Sequence, residues 1–274
     1  MRIDLHTHTS ESDGELTPQI LVEQAIDSGV DVLAITDHDT VGAFEQLKHA
    51  SNEITLITGT ELSSHWQKTG VHIVGLNIDL HSEALQTGLA RQQNARNIRA
   101  EKIARRLDKL GLANTLAGAR QYSGDTSIGR VHFAQHLVNS GAVKDFKTAF
   151  KKYLGAGKPG DVKSEWLDMP EVIDWITQAK GHAVLAHPAK YKLTNRKLEL
   201  LVQDFAAAGG HAIEVVSGKQ DAQLTSRLAR LATRHGLLAS TGSDFHRPGQ
   251  NWAALGTQPT LPADCEPVWK NWRL

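Results

Sequence analysis

Short apolar segments that are typical of buried strands recur seven times along the chain of 274 residues. They are rich in Val, Ile, Leu and Ala and are bounded by Gly, Asp or Pro, as parallel strands covered on both faces usually are. Helical patterns separate most of them, which indicates an α/β fold with parallel strands, and the length suits a seven-stranded barrel. The predicted strands are Ile3–Thr7, Val32–Thr36, Ile54–Thr58, Val71–Asn77, Ala183–Ala186, Ala212–Val216 and Leu237–Thr241.

Helical patterns fill most of the gaps between these strands, and two of them begin with a proline. Pro18 and Pro170 each suit the first turn of a helix, where the missing N–H is not needed. The predicted helices are Pro18–Ser28, Val41–Ala50, Pro170–Ala179, Arg196–Ala208 and Ala222–His235.

The alternation of strands and helices is interrupted between about residues 85 and 167. A long helical pattern covers Glu83–Leu110, and shorter helical stretches and a glycine-bearing loop at 153–160 follow it. The segment is too long for a simple connection between a strand and a helix. We therefore expect a mainly helical insertion, residues 85–167, that caps one face of a barrel formed by residues 1–84 and 168–274.

The charge of the chain is zero overall but unevenly distributed. Residues 91–163 contain 15 Lys and Arg and 5 Asp and Glu, a net charge of +10 that falls within the predicted insertion. A basic segment in an otherwise acidic protein indicates an anionic partner. A solvated helical surface is the alternative explanation.

The composition argues against several classes of protein. The single cysteine, Cys265, cannot form an internal disulfide and suits a reducing compartment. No run of about 18 apolar residues is long enough for a transmembrane helix. The first residues, Met1 to Asp4, lack the apolar segment of a secretion signal. We expect a cytoplasmic protein without a membrane partner.

Imidazole and carboxylate side chains lie at the ends of most predicted strands. In a parallel α/β barrel the carboxyl ends of the strands form one rim, where active sites are built. His6 and His8 are two residues apart in a strand and therefore point to the same side, although chance alone could produce one such pair. The whole set, without a thiolate, suits Mn, Fe or Zn in a hydrolytic cluster. Its members are His6, His8, Asp13, Asp37, His38, Asp39, Glu61, His72, His187, Asp244 and His246.

Five short motifs carry most of these side chains. They are His6-Thr7-His8, Thr36-Asp37-His38-Asp39, Gly59-Thr60-Glu61, Ala186-His187-Pro188 and Ser243-Asp244-Phe245-His246. Together they resemble the motifs of the PHP (polymerase and histidinol phosphatase) family, over nearly the whole chain. The segment from Gln92 to Ala100 narrows the resemblance to the branch of bacterial 3′,5′-nucleoside bisphosphate phosphatases and a related 5′-to-3′ exoribonuclease. The resemblance implies a distorted (β/α)7 barrel with an inserted, mainly helical capping domain.

The resemblance also implies two or three metal ions. Mn²⁺ is expected, with Fe or Zn as alternatives, and an aspartate at position 13, where some relatives have histidine, favours Mn²⁺. Two ions about 3.5–4 Å apart can hold a bridging hydroxide that attacks a phosphate ester. The implied ligands are His6, His8, Glu61 and Asp244 for one ion, Glu61, His72 and His187 for a second, and Asp13, His38 and His246 for a third.

The cationic residues of the long predicted helix lie on two different faces of that helix. At 100° per residue, Arg96 lies in line with the apolar Ile103 and Leu107. An arginine on the apolar side is expected to reach inward to an anion, with a structural salt bridge as the alternative. The other cations form a broad face that we expect to be solvated unless the substrate is a long polyanion: Arg99, Lys102, Arg105, Arg106 and Lys109.

Residues of the insertion are implied to bind the substrate. They would hold a 5′-phosphate while the metal cluster cleaves at the 3′-phosphate. Arg130 and Lys158 suit this task, because an arginine fork and a glycine-rich loop both bind phosphate. The roles of Asp37 and His132 stay open. The substrate-binding candidates are Asp13, His38, Arg96, Asn97, Arg99, Arg130 and Lys158, and the catalytic candidates are Arg130, Glu61 and Asp244.

These inferences predict a metal-dependent phosphoesterase that converts 3′,5′-nucleoside bisphosphates to nucleoside 5′-monophosphates by means of a metal-bridging hydroxide. A 5′-to-3′ exonuclease on short 5′-phosphorylated RNA or DNA is the close alternative, because such a chain presents the same first nucleotide. Histidinol phosphatase fits less well, since a small amino-alcohol phosphate would not require a basic insertion. A non-catalytic metal-binding PHP module is the alternative of another class, and the complete set of nine ligands argues against it.

Overall fold

A mixed sheet forms the centre of the protein. The computed structural model describes residues 1–47, 53–124, 126–162 and 165–274. The strands in these ranges are β1 (Ile3–Asp4), β2 (Val32–Ile35), β3 (Thr55–Trp66), β4 (Thr69–Leu76), β5 (Leu167–Asp168), β6 (His182–Leu185), β7 (Ala212–Ser217) and β8 (Leu238–Gly242). Seven of them follow the order β1-β2-β3-β4-β6-β7-β8, and the short β5 pairs with β3.

The first and last strands close the sheet into a barrel. The N–H of Leu5 donates to the carbonyl of Thr241 at 3.1 Å, and the N–H of Asp244 donates to the carbonyl of His6 at 2.8 Å. Gly242 makes this approach possible, because a Cβ atom there would lie 2.3 Å from the Cβ of His6. The predicted seven-stranded barrel is therefore confirmed, with β5 as an addition at its side.

The β3–β4 hairpin departs from the uniformly parallel arrangement that the sequence predicted. β3 continues to Trp66, well beyond the predicted end at Thr58, and β4 returns antiparallel to both β3 and β6. Only Gln67 and Lys68 connect the two strands, and Gln67 has a positive φ of 53°, as tight hairpin turns require. Two residues are too few for a crossover, so the prediction of parallel strands is wrong here.

The helices lie close to their predicted positions. Thr17 caps the first of them, since its hydroxyl accepts the N–H of Ile20 at 3.4 Å. Of the helix predicted over 41–50, residues 48–50 lie outside the described residues. The helices are α1 (Pro18–Asp27), α2 (Ala43–Gln46), α3 (Glu83–Asp108), α4 (Thr115–Ser123), α5 (Arg130–Asn139), α6 (Phe146–Ala149), α7 (Met169–Gln178), α8 (Asn195–Ala207) and α9 (Ala222–Arg234), with a π-helical turn at Phe150–Leu154 and a 3₁₀ turn at Pro188–Tyr191.

The chain divides into two compact units, residues 1–89 with 167–274 and residues 90–166. In the first unit α7, α8 and α9 cover the sheet with buried apolar side chains such as Phe205 and Leu228. The second unit has an apolar core of its own, which includes Leu107, Phe133 and Leu154. The capping of the barrel by residues 85–167 stays a prediction. Within the described residues, none of the helices combines the length and the apolar character needed to cross a lipid bilayer.

Gly242→Ala is expected to lower the free energy of unfolding by about 1–3 kcal/mol, because the added methyl group would collide with His6 where the barrel closes. Urea denaturation followed by circular dichroism measures this free energy. Gly70→Ala is the matched control, since Gly70 also lies in a strand and an added Cβ there meets no atom within 4 Å. Equal destabilisation by the two substitutions would contradict the requirement for glycine at position 242.

Candidate metal centre

The structure brings all nine predicted metal ligands together at one end of the barrel. His6 and His8 leave β1 pointing to the same side, as strand geometry requires, and their Nε2 atoms lie 3.1 Å apart. Glu61 and His72 do not follow strands but lie within β3 and β4, on the hairpin that extends further than predicted. The remaining ligands occupy the loops that follow β1, β2, β6 and β8: Asp13, His38, His187, Asp244 and His246.

The Glu61 carboxylate is the centre of this arrangement, and only 1% of the residue is exposed. Its Oε1 lies 2.8 Å from Nδ1 of His72 and 2.9 Å from Nε2 of His187. Its Oε2 faces three further imidazole nitrogens at 3.1–3.3 Å, those of His6, His8 and His38. The two oxygens of one carboxylate therefore point at two different sets of nitrogen atoms.

One set surrounds the facing nitrogens of His6 and His8. Nε2 of His6, Nε2 of His8 and Oε2 of Glu61 lie 3.1–3.3 Å apart and form a group that could hold a metal ion. Oδ1 of Asp244 lies 3.4 Å from Nε2 of His8 and 3.5 Å from Nε2 of His6. These four groups, which the family resemblance implied, can hold one divalent ion.

A second set lies on the other side of Glu61. The ligand atoms of His38, Glu61 and His72 all lie within 4.8 Å of one another. His187 also reaches Oε1 of Glu61, so the predicted combination of Glu61, His72 and His187 is present, with His38 as an additional neighbour. This set can hold a second ion.

The third set lies around Asp13. Its Oδ1 is 3.3 Å from Nε2 of His246 and 3.9 Å from Nε2 of His38. His8, which the prediction did not include here, completes a group of four whose ligand atoms lie within 4.8 Å of one another. The three sets share His8, His38 and Glu61, so the candidate ion positions are adjacent.

Several buried polar atoms of the centre have no hydrogen-bond partner among the described residues, and this supports metal binding by these side chains. An unpaired polar atom inside a protein costs about 1–3 kcal/mol, and such atoms are rare unless a ligand satisfies them. All the donors are nitrogen or oxygen, as Mn²⁺, Fe²⁺ and Zn²⁺ accept. The atoms in question are Nδ1 of His8, Oδ1 of Asp13, Nδ1 of His38 and Oε2 of Glu61.

The carboxylates of the centre are held in their charged form. Burial alone would raise the pKa of Glu61, but the imidazoles of His72 and its neighbours hold that pKa well below its usual range. The same balance, with His6 as the main opposing charge, lowers the pKa of Asp244. Nearby imidazoles likewise lower the pKa of Asp13 against the effect of burial. Three carboxylates are therefore ready to bind cations.

Two imidazoles, in contrast, are held protonated when no metal is bound. Burial would lower the pKa of His8, but the carboxylates of Asp244 and Glu61 raise it to about 10. The pKa of His6 also lies well above its usual value, because Glu61, Glu214 and Asp244 outweigh burial. Only a neutral imidazole binds a metal, so metal uptake must displace these protons.

Glu214 is a buried carboxylate that the sequence analysis missed. Its Oε1 lies 3.3 Å from Nδ1 of His6, and its Oε2 accepts the N–H of His187 at 2.5 Å. A proton on Nδ1 of His6 leaves Nε2 free to bind a metal, so Glu214 orients one ligand and fixes the backbone of another. The signal in the sequence was a lone carboxylate within the apolar strand Ala212–Val216.

Lys190 and Tyr191, in the 3₁₀ turn after His187, were also missed. The Lys190 ammonium pairs with Oδ2 of Asp244. The Tyr191 hydroxyl donates to the carbonyl of Ala186 at 2.8 Å and accepts the N–H of His72 at 2.9 Å. The turn thereby connects ligands of different ion positions. Nothing in the sequence distinguishes this polar turn from others.

Asp37 and His132, whose roles the sequence left open, both bind nearby backbone or hydroxyl groups. Asp37 accepts the N–H of Thr9 at 2.7 Å and the hydroxyl of Ser12 at 2.5 Å, which fixes the loop that carries Asp13. Nδ1 of His132 accepts the N–H at the start of α5 at 3.0 Å. These contacts orient backbone and do not require a ligand.

Two arginines of the second unit are packed against one indole ring. Arg96 is buried, as predicted, with its guanidinium carbon 5.3 Å from the centre of the Trp166 ring and Nη1 donating to the carbonyl of Ile128 at 3.2 Å. Arg99 is buried too, 4.7 Å from the same ring, and its Nε donates to the carbonyl of Val162 at 2.7 Å. The prediction of a solvated Arg99 is wrong, because helix angle alone does not reveal a distant aromatic partner.

The other predicted substrate residues of the second unit lie nearer its surface. Nη1 of Arg130 donates to the carbonyl of Leu154 at 3.1 Å and is 3.9 Å from Oδ1 of Asp161. Asn97 is half-buried, and Lys158 is exposed in its glycine-bearing loop. Their role in substrate binding stays a prediction.

Glu214→Gln is expected to weaken Mn²⁺ binding about 10–100-fold, because an amide offers one acceptor oxygen in place of the two that hold His6 and His187. Isothermal titration calorimetry of the metal-free protein measures the affinity. Glu199→Gln is the control, since Glu199 is a carboxylate of α8 that pairs with Arg234 and contacts none of the proposed ligands within the described residues. Equal losses of affinity in both variants would contradict the positioning role of Glu214.

The metal-free protein is expected to lose stability as the pH rises from about 6.5 toward 10. The pKa of His8 is raised from 6.5 to about 10 on folding, so the stability that it contributes is complete below the unfolded value and is lost through the folded value. The Mn²⁺-loaded protein should not show this loss, because a metal-bound His8 would be neutral across this pH range. Thermal unfolding of both forms across this range measures the effect, and parallel curves would contradict it.

Known proteins are similar in sequence to nearly the whole chain. The family model of the PHP domain matches residues 4–215. A 3′,5′-nucleoside bisphosphate phosphatase from Chromobacterium violaceum is 42% identical over 271 residues, which cover 98% of this chain and 95% of the relative. The 5′-3′ exoribonuclease Rnm from Escherichia coli is 43% identical over 273 residues, which cover 98% of this chain and 93% of the relative.

Solved structures show the same fold. A protein from Chromobacterium violaceum, described as an amidohydrolase with bound sulfate, superposes with a TM-score of 0.90 at 42% identity, over 98% of this chain and 95% of the other. A protein from Bifidobacterium adolescentis, assigned as a metal-dependent phosphoesterase, superposes with a TM-score of 0.82 at 29% identity, over 96% and 93%. The chain therefore belongs to the PHP domain family and is a metal-dependent phosphoesterase.

Proposed function

We propose that the protein hydrolyses the 3′-phosphate of 3′,5′-nucleoside bisphosphates, such as adenosine 3′,5′-bisphosphate, and releases nucleoside 5′-monophosphates. The observation that carries this proposal is the position of Glu61, whose two oxygens face two separate sets of imidazoles. One carboxylate so placed can serve two adjacent divalent ions, an arrangement that suits the hydrolysis of phosphate esters. The substrate of the Chromobacterium violaceum relative, 42% identical over nearly the whole chain, supports this choice.

Mn²⁺ is the metal that we assign to the centre, as two or three ions. Bound divalent ions would lower the pKa of an attacking water and neutralise the phosphoryl oxygens. The carboxylate of Asp13 supports Mn²⁺ over softer metals, although Fe and Zn also accept this donor set. The ligands would be His6, His8, Asp13, His38, Glu61, His72, His187, Asp244 and His246.

The remaining task of the chain is to hold these ligands in place, because small displacements of reacting groups cost large factors in rate. Lys190 binds one oxygen of Asp244 and leaves the other directed at His6 and His8. His187 and Asp244 have positive φ angles of 27° and 57°, which are costly for residues other than glycine. Their neighbours must maintain these conformations, and Glu214 does so at His187 through the backbone N–H.

The 5′-phosphate of the substrate is assigned to the cationic residues of the insertion. Arg96 and Arg99 lie against the same indole ring, which brings two guanidinium forks close together. Such forks bind phosphate through paired hydrogen bonds. The net charge of +10 in residues 91–163 supports an anionic ligand for this segment. Asn97, Arg130 and Lys158 complete the proposed set.

A 5′-to-3′ exonuclease activity is the second candidate, and the Escherichia coli exoribonuclease with 43% identity favours it. The same bond would break in both reactions. In a bisphosphate and in a 5′-phosphorylated RNA, that bond joins a phosphorus atom to the 3′ oxygen of the first nucleotide. A site that holds the first nucleotide by its 5′-phosphate therefore suits both substrates.

The purified protein is expected to release inorganic phosphate and adenosine 5′-monophosphate from adenosine 3′,5′-bisphosphate when Mn²⁺ is added. Adenosine 3′-monophosphate should be hydrolysed at least about ten-fold less efficiently, because it lacks the charge-assisted hydrogen bonds of the 5′-phosphate. Glu61→Ala should remove the activity with both substrates. Glu199→Ala is the control, since Glu199 is a carboxylate on the surface of α8 that pairs with Arg234.

Other outcomes of this assay would change the assignment. Shortening of a 5′-phosphorylated oligonucleotide without phosphate release from the bisphosphate would make the exonuclease the main activity. Inertness toward both substrates of a folded protein that binds Mn²⁺ would contradict the enzymatic proposal.

A further inference from the structure

A cleft of about 160 Å³ adjoins the metal centre at the carboxyl ends of β6 and β7. His187 belongs both to the proposed ligand set and to the lining of this cleft, and Glu214, which contacts His6, lines the cleft too, so the cleft borders the metal centre. The volume is below the range of about 300–1,000 Å³ that drug-sized ligands occupy, and it suits one planar group. The lining residues used below are Pro188, Lys190, Ser217, Leu224 and Leu228.

The walls of the cleft combine apolar faces with the polar groups of Glu214, Ser217 and Gln220. Leu224 and Leu228 of α9 and the ring of Pro188 provide the apolar surface. The Oγ atom of Ser217 is buried and makes no hydrogen bond within the described part of the chain. A buried hydroxyl without a partner is costly, and the polar edge of a ligand would satisfy it. A nucleobase has this combination of apolar faces and polar edges.

A cation stands between the cleft and the metal centre. Lys190 lines the cleft, its ammonium group pairs with Oδ2 of Asp244, and 52% of its side chain is exposed. A positive charge in this position attracts an anionic group that passes from the metal centre toward the cleft. The phosphate that joins two nucleotides is such a group.

We propose that the cleft receives the base of the nucleotide on the 3′ side of the scissile phosphate, with Lys190 beside that phosphate. This inference rests on the proposed function, specifically on its second candidate activity toward 5′-phosphorylated oligonucleotides, and adds a base subsite to it. In the reaction the bond between phosphorus and the 3′ oxygen of the first nucleotide breaks. Water supplies the new oxygen on phosphorus, and a proton passes to the 3′ oxygen. The phosphate stays on the second nucleotide, whose base occupies the cleft.

Three substrates that share adenosine 5′-phosphate as the first unit test this proposal with the Mn²⁺-loaded protein. They carry at the 3′ oxygen a phosphate, a methyl phosphate diester or a second adenosine nucleotide. We expect kcat/KM for the dinucleotide to exceed that for the methyl diester by about ten-fold, which is the size of the effect when one base is bound. Equal values for the two diesters would overturn the subsite.

Leu224→Trp fills the cleft and should abolish the advantage of the dinucleotide over the methyl diester. Its kcat/KM for the bisphosphate should stay within about two-fold of the wild-type value, because Leu224 lies outside the proposed ligand set. Leu200→Trp, on the exposed face of α8, is the matched control and should leave all three substrates unchanged.

The outcomes of these assays distinguish failure of this inference from failure of the proposed function. Equal losses with Leu224→Trp on the bisphosphate and the dinucleotide would overturn the subsite, while hydrolysis of the bisphosphate would still support the phosphatase. If Leu224→Trp does not fold, the ratio of the two diesters with the wild-type protein decides alone. Failure to hydrolyse any of the three substrates would overturn the proposed function and this inference together.

Discussion

Five imidazoles surround one buried carboxylate, and much of the barrel is arranged to keep them there. A carboxylate as buried as that of Glu61 costs several kcal/mol unless opposite charges or metal ions compensate it. The compensating groups come from four different parts of the sheet, so their positions depend on strand register and on closure of the barrel. A shift of one residue in β1 would turn both His6 and His8 away from Glu61. Electrostatics at the rim therefore selects a single register for the strands.

The β3–β4 hairpin fixes the positions of two of these charged groups relative to each other. Glu61 pairs with Val74, and His72 pairs with Ser63, within one antiparallel ladder. Two of the proposed ligands thus lie on a rigid element and not on loops, which limits their movement relative to each other. The hairpin interrupts the parallel barrel, but it places the central carboxylate where strands from both sides can reach it.

Local patterns in the sequence were sufficient for the positions of most strands and for the ligands at their ends, because strand periodicity and strand order act over short ranges. They were insufficient where the partner is remote. Glu214 is 208 residues from His6, and nothing near it indicates that contact. Arg99 is buried by Trp166, which belongs to a different part of the second unit. The end of β3 was predicted too early. The residues after Glu61 do not alternate between apolar and polar side chains as the residues of a half-exposed strand do.

The seam between β1 and β8 has a consequence for how the protein is made. Asp4 and Ser243 are hydrogen-bonded although 239 residues separate them, and His6 meets Asp244 at the same seam. β1 can pair with β2 early in synthesis, but these contacts of β1 form only when β8 and the loop after it have been made. Contacts of such high sequence separation form late and slow the folding of a domain. A nascent chain therefore cannot assemble the ligand sets that include Asp244 and His246 until β8 and the loop after it have left the ribosome, whereas the set of His38, Glu61, His72 and His187 does not depend on that seam.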